Sequence, residues 1–222
     1  MIDFKKIIQN LKSDGARVGY GPAITHMLYY AANKLLNLRR LEIIYLTREH
    51  LIALDPAKYG KHSSRLATKE ELLQMQAEGK WDITDELIEG FHNGDSCVLS
   101  SVDGKLAGYT WVHVGGRPKL TQGLRITVPS DYIYNFAGYT LHEFRGFGLQ
   151  PYRHNVIMNH PEWKDKKGMI GFVECTNWGS KRGQSKSGYQ KLGYLTLVGS
   201  RNRFFVFVSS AVKEIGIRRL ND

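Results

Sequence analysis

The sequence predicts an α/β fold built on a mixed, mostly antiparallel central sheet flanked by helices, with an extra helical extension at the N-terminus. Three observations carry this expectation. Two strand-like runs before residue 115 are joined as a hairpin, and helical stretches separate the strand-like runs that follow residue 130. The composition of the 222-residue chain, 42% hydrophobic, 11% aromatic and 23% charged, is that of a globular protein with enough length for a sizeable core.

Taken in order, Phe4, Ile7, Ile8 and Leu11 fall at helical spacing opposite Lys5, Lys6 and Lys12. After the breaker Gly19-Tyr20-Gly21-Pro22 a second amphipathic helix carries Ile24, Met27, Leu28, Ala31, Leu35 and Leu38 on one stripe and ends at Arg39-Arg40. These helices define an extension over residues 1–40, followed by a main domain over 41–222. Leu41 to Leu46 reads as a buried strand and Asp55 to Arg65 as a linking loop. Thr68 and Thr84 head two helical stretches, the first with the capping-box pattern completed by Glu71. Cys97–Ser101 and Leu106–Val114 form the hairpin, turned at Asp103-Gly104. A short strand over 124–128, a strand over 131–140, a helix from Gly148, a strand over 169–176, a short helix over 185–192 and two closing strands (195–198, 204–208) complete the reading.

The formal net charge is +10, half of it within residues 1–40, where Lys5, Lys6, Lys12, Arg17, Lys34, Arg39 and Arg40 face only Asp3 and Asp14. Such a balance favours an anionic partner: a phosphorylated cofactor, an acidic carrier protein, an anionic membrane surface or nucleic acid. Nucleic acid is disfavoured, since no helix-turn-helix, zinc finger or aromatic RNA-binding motif is evident. The two N-terminal stripes have two readings, packing on the main domain or a second subunit, or contact with a membrane. Cys97 and Cys175 form no CxxC pair, and the eight histidines include no HExxH, so neither a disulfide framework nor a metal site is expected. A chain without an apolar leader or a run of about 18 apolar residues is expected to be soluble or peripheral, with a reducing cytoplasm its simplest setting.

The functional signal lies where the strand over 131–140 runs into Arg145-Gly146-Phe147-Gly148-Leu149-Gln150. Glycines let a backbone approach an anion, and the N–H groups opening the following helix point at it. A P-loop is excluded because GxxxxGK[ST] is missing, and a dinucleotide fingerprint because Pro151 takes its third glycine position. The pattern that remains, a strand followed by RxxGxG/A, resembles the GCN5-related N-acetyltransferase (GNAT) superfamily, with Gln150 where that family usually has Gly or Ala. The later segment Ser185-Lys186-Ser187-Gly188-Tyr189-Gln190-Lys191-Leu192-Gly193-Tyr194 is similar to the family's SxxxYxKxGF. The resemblance spans roughly residues 42 to 210. The family's Asn before that serine is matched by Arg182, with Asn177 the nearest candidate, an offset that a loop insertion WGSKRGQ would explain.

The resemblance implies a GNAT-like three-layer fold and an acyl-coenzyme A co-substrate, most simply acetyl-coenzyme A. Its pyrophosphate is expected on Arg145, Gly146, Phe147, Gly148, Leu149 and Gln150, near Asn177 and Ser185. Its pantetheine arm is expected between the strands ending near Thr140 and Thr176, and the N–H groups of Thr140 and Leu141, near a bulge, would polarise the thioester carbonyl. An amine of a small molecule, sugar or peptide then attacks directly. The acid implied for the departing thiolate is Tyr189, whose phenol is chemically adequate and whose other reading is core packing. For the base, Glu174 comes first, with Glu143 and His142 as the others. Trp111, Tyr132, Tyr134 and Tyr139 line an acceptor pocket or fill the core. Two other outcomes stay open: a longer acyl chain delivered by acyl carrier protein near a membrane, and a binding module that keeps the fold without turnover.

Overall fold

The computed structural model describes residues 19–116, 119–121, 124–200 and 203–220. The segment expected as a first helix, Phe4 to Leu11, lies outside them.

Helix α1 (Tyr20–Leu36) ends at Asn37, whose left-handed φ of 45° reverses the chain, and Arg39 and Arg40 already belong to strand β1 (Arg39–Thr47). The boundary expected at residue 40 therefore falls inside β1. Its alternation puts Leu41, Ile43 and Tyr45 against one hydrophobic cluster and Ile44 and Leu46 against another, so both faces of the strand are covered.

The tract expected as a loop over 55–65 instead forms helix α2 (Pro56–Tyr59) and strand β2 (His62–Leu66). The Asp55 side chain accepts from Ala57 N, with Pro56 opening the helix. β2 has a single neighbour and no fully buried residue, so its sequence HSSRL lacks the apolar alternation that betrays a strand. Helix α3 (Lys69–Glu78) starts as its sequence dictates. Glu71 N–H donates to Thr68 Oγ1 at 3.3 Å and Thr68 N–H to Glu71 Oε2 at 2.9 Å. The Arg65 guanidinium on Glu71, helped by the Thr68 N–H, holds that carboxyl down at about 2. Helix α4 (Asp85–His92) is capped by Thr84, whose Oγ1 accepts from Leu87 N–H without a reciprocal bond.

Strands β3 (Ser96–Val102) and β4 (Lys105–Val114) form the hairpin, with Asp103 and Gly104 both left-handed at φ 49° and 74°. Strands β5 (Lys119–Thr121) and β6 (Leu124–Ile126) form a small second sheet. Then come β7 (Tyr132–Thr140), α5 (Leu149–Asn159), β8 (Gly168–Glu174), α6 (Trp178–Ser185), β9 (Gln190–Ser200) and β10 (Arg203–Val208). Helix α7 (Ser210–Glu214) and β11 (Arg219–Leu220), which joins the small sheet, close the described chain.

The expected helix over 185–192 is corrected: α6 sits about two turns earlier, on the stretch WGSKRGQ taken for an inserted loop. Asn177 Oδ1 accepts from Ser180 N to start it, and the left-handed Gly188, φ 97°, lies beyond its end. Tyr189 thus stands on the connection into β9.

The main sheet runs β10-β9-β1-β8-β7-β4-β3-β2, and every adjacent pair is antiparallel except β7–β8. One face packs Ile44, Val112, Ile133 and Met169 on Ile157 and Met158 of α5. The other packs Leu99, Tyr109 and Trp111 on Leu72 and Met75 of α3 at one end, and Ile43, Ile170 and Leu195 on Val212 and Ile217 at the other. Three layers result, as expected. Helix α1 does not bury its apolar stripe on the main domain: Ala23 is buried and Tyr29 reaches the sheet, whereas Ile24, Leu28 and Leu35 of the stripe are exposed.

Candidate active site

The site begins where β7 and β8 part. They pair in parallel from Tyr132–Gly168 to Asn135–Gly171, after which β7 follows β4 alone and β8 follows β1. The cause is a bulge in β7. The β4–β7 register slips between Tyr109 and Trp111, leaving Ala137 and Gly138 opposite Thr110, with Ala137 at a left-handed φ of 45°. An extra residue kinks a strand and takes it out of the ladder. This bulge lies three residues before Thr140, and the Leu141 N–H expected to polarise the thioester carbonyl instead donates to Ala107 O at 3.0 Å. The result is a cleft with Asn135 at its apex and the exposed Ala137 and Gly138 on one wall.

At the mouth of the cleft β7 passes through a 3-10 turn (His142–Phe144) into Arg145–Gly148 and α5. Gly148 is the N-cap, left-handed at φ 78°, and no side chain caps the helix, so its first N–H groups face outward unclaimed by a cap. A side chain on Gly148 would meet Tyr59 Oη at 2.8 Å. The unforeseen α2–β2 tract clamps the turn: His62 Nε2 bonds Phe147 O at 2.9 Å, Tyr152 Oη donates to His62 O at 3.0 Å, and the Tyr59 and Tyr152 rings stack. Arg145 is exposed, its Nε 3.4 Å from Thr140 O. Leu149 is buried in the core, and Phe147 is half exposed.

Gln150, the departure from the family pattern, has a local explanation. Its amide lies over Gly183 of α6, where any Cβ would collide with it. A long side chain at 150 is housed by a missing one at 183. Asn177 spends its carbonyl on capping α6, and Ser185, exposed at the far end of that helix, donates to Arg182 O at 3.0 Å. The structure thus brings Gln150 together with α6 and turns the Ser185 hydroxyl back on its own helix.

Tyr189 is buried near the apex. Its hydroxyl oxygen accepts from Asn135 Nδ2 at 3.3 Å, and its ring meets His154 edge-on at 5.0 Å. Burial pushes the phenol well above its ordinary range, opposed by the weaker effect of the Asn135 N–H. Glu174 stands at the end of β8 with both oxygens engaged. Arg39 Nε donates to Oε1 at 2.8 Å and Tyr29 Oη to Oε2 at 3.0 Å, which ties α1 and β1 to β8. His142 and Glu143 are exposed on the 3-10 turn. Trp111, Tyr109 and Tyr134 fill the core, and Tyr132 packs against it.

Sequence reasoning missed several polar residues around the cleft. Arg153 of α5 is buried without a carboxylate partner. It donates through Nη1 to Tyr109 O (2.7 Å) and Tyr139 O (2.8 Å) and through Nη2 to Thr140 Oγ1 (3.0 Å), and burial lowers its pKa to about 10. Glu42 of β1, also buried, accepts from Lys181 Nζ at 2.9 Å, pinning α6 to the sheet. His154 beside Arg153 is held neutral, its pKa pushed down to about 3 by burial and then by the Arg153 charge. One signal was available, since Asn135 is the polar intruder in YIYNFAGYT.

The His154 shift has a signed consequence for stability. Below its ordinary 6.5 the unfolded chain takes up a proton that the folded chain refuses until about 3. The stability tied to this residue is complete above 6.5 and is lost as pH falls toward 3, with a slope of at most about 1.4 kcal/mol per pH unit. Urea unfolding of wild type and His154→Gln across that window checks it: the variant loses this component of the slope.

No protein-family model matches the chain, and no curated protein matches its sequence. Solved structures do. A protein assigned to the GNAT acetyltransferase family from Novosphingobium aromaticivorans aligns with a TM-score of 0.50 at 12% identity, over 72% of this chain and 63% of that one. A Drosophila protein aligns with a TM-score of 0.50 at 12% identity, over 84% of this chain and 59% of its own. The chain therefore spans about six-tenths of the length of each. With its layers, its parted parallel strands and its glycine turn, the chain has the fold of the GCN5-related N-acetyltransferases.

Proposed function

We propose that this protein is an acyl-coenzyme A dependent N-acyltransferase, with acetyl-coenzyme A the simplest donor and an amine of a small molecule, sugar or peptide as acceptor. The observation that carries the proposal is the parting of β7 and β8 beyond Asn135, with the glycine turn at Arg145–Gly148 following β7 and the Tyr189 hydroxyl bonded to Asn135 where the strands part. In this reading the N–H groups opening α5 take the pyrophosphate and the parted strands take the pantetheine arm. The amine nitrogen attacks the thioester carbon, the C–S bond breaks, and Tyr189 gives its proton to the departing thiolate. Glu174 is the base in this reading, accepting the amine's proton at the Oε2 lone pair that Tyr29 leaves open.

Isothermal titration with acetyl-coenzyme A, followed by thiol release across an amine panel, tests the proposal. No binding at high micromolar donor overturns it, and binding without thiol release favours the non-catalytic module. In the same titration Gly148→Val is expected to weaken binding at least roughly tenfold. Its Cβ runs into Tyr59 and its left-handed φ disfavours a branched residue, by about 1–2 kcal/mol for the backbone alone.

A second reading, a longer acyl chain delivered near a membrane, is favoured by the outward stripe of α1, where Leu28 and Leu35 are 62% and 81% exposed. Removing residues 1–40 is an unsuitable test, because it takes away Arg39 and cuts β1. Leu28→Glu with Leu35→Glu leaves that strand whole. Full-length protein that sediments with phosphatidylglycerol vesicles and loses the property in this variant supports the reading, whereas no sedimentation sinks it.

A further inference from the structure

Four side chains behind Tyr189 form a chain of hydrogen bonds that no step of the proposed transfer uses. Thr110 Oγ1 of β4 lies 2.8 Å from Asn135 Oδ1 and 3.3 Å from Phe136 O, and its one proton goes to the nearer oxygen, that of Asn135, which makes the other end of that amide the donor. Asn135 Nδ2 then has two acceptors, His154 Nε2 at 3.1 Å and Tyr189 Oη at 3.3 Å. With Nε2 accepting, the single proton of the neutral imidazole resides on Nδ1, which donates to Ser187 Oγ at 2.7 Å. The Ser187 hydroxyl in turn donates a hydrogen bond to Gly183 O at 3.3 Å. Thr110, His154 and Ser187 are each buried to within 3% of full enclosure, so water does not compete for these bonds.

We infer that Asn135 is a positioning residue, locked by Thr110 on one side and by His154 and Ser187 on the other, which holds the Tyr189 hydroxyl with its oxygen as acceptor and its proton directed into the cleft. This inference rests on the acyltransferase reading for its consequence, though not for its geometry. Asn135 is the last β7 residue paired to β8, so the lock sits at the apex where the strands part. A phenol that is already accepting an N–H bond turns its O–H elsewhere, and the direction left is toward the departing sulfur. The adjacent Ser187–Tyr189 loop is itself fixed. Ile52 N–H donates to Ser187 O at 3.2 Å and Tyr189 N–H to Gln184 O at 3.2 Å, so the ring has little freedom to find another orientation. His154 acts through Asn135 and stays neutral, and its role is to fix which way the amide points.

Two measurements test this, one of them independent of activity. In the full-length protein labelled with nitrogen-15, long-range proton–nitrogen correlation at about pH 7 reads the tautomer of each neutral imidazole, and His154→Gln identifies the signal concerned. The expected result is a protonated Nδ1 and a bare Nε2. The opposite tautomer would require the Asn135 oxygen to face both His154 and Tyr189 and to consume the phenol proton, which overturns the inference. In thiol-release kinetics Asn135→Leu is expected to lower kcat at least roughly tenfold while KM for acetyl-coenzyme A stays within about threefold, and to add little to the loss in Tyr189→Phe. An unchanged kcat beside an impaired Tyr189→Phe also overturns it. Should Asn135→Leu fail to fold, Thr110→Val removes only the donor that orients the amide, and kcat is again the quantity expected to fall. If wild type neither binds nor turns over acetyl-coenzyme A, the acyltransferase reading fails, while the tautomer still decides the hydrogen-bond arrangement.

Discussion

Replacing Tyr189 with phenylalanine is expected to lower kcat for acyl transfer by about 10²- to 10⁴-fold, the usual worth of a positioned proton donor, with little change in KM for the donor. The ring itself packs among Ile44, Ile157 and Val173, and phenylalanine preserves that contact. The hydroxyl supplies one long hydrogen bond, and Asn135 Nδ2 keeps His154 as its other acceptor, so the cost in stability is about 1 kcal/mol or less. Steady-state kinetics beside urea unfolding separates the two effects. Because burial holds the phenol protonated beyond its ordinary range, the wild-type rate carries no alkaline limb from this residue near about pH 10, where an ordinary phenol titrates. A variant that is both stable and active would leave Tyr189 as core packing alone.

The largest effect on stability is expected at Trp111, which is fully buried between Phe91 and Phe136. Trp111→Ala removes an indole from the center of the β3–β4–β7 face and is expected to cost about 3–5 kcal/mol. Trp111→Phe is expected to cost much less, within about 1.5 kcal/mol. The indole Nε1–H is buried without a partner, and losing an unsatisfied donor offsets part of the lost volume. Equilibrium unfolding of the two variants checks the difference between them. Equal losses would mean that this N–H has a partner after all.

The layers were legible where a local rule acts alone. Thr68 with Glu71, the Asp103-Gly104 turn and the glycines of residues 146–148 each impose their geometry on a few neighboring residues, and all three appear where expected. Legibility failed where a neighbor far along the chain decides. β2 has one apolar residue, Leu66 at its end, and exists because β3 offers it an edge. WGSKRGQ has no apolar period, and its helix is held by the Asn177 cap and the Lys181–Glu42 pair. The family resemblance drew attention to Tyr189, although the helix drawn through it was misplaced. Glu174 looked available as a strand-end carboxylate because Arg39 and Tyr29, which engage it, come from a segment set apart as an extension. His154 was one of eight histidines without a motif. Its meaning depends on Asn135 and Ser187, on two other elements, and no spacing rule joins them.

The place of β1 in the sheet has a consequence for the order of assembly. This strand leaves the ribosome more than a hundred residues before its partners, and both of its edges wait for them: Leu41 pairs with Glu174 on one side and with Leu195 on the other. Such long loops are slow to close, and a strand this apolar with two open edges invites the wrong partner in the meantime. The hairpin β3–β4 and its helices can form as they emerge, whereas the β1 half of the sheet, and with it the cleft, closes only once β8 and β9 have been made.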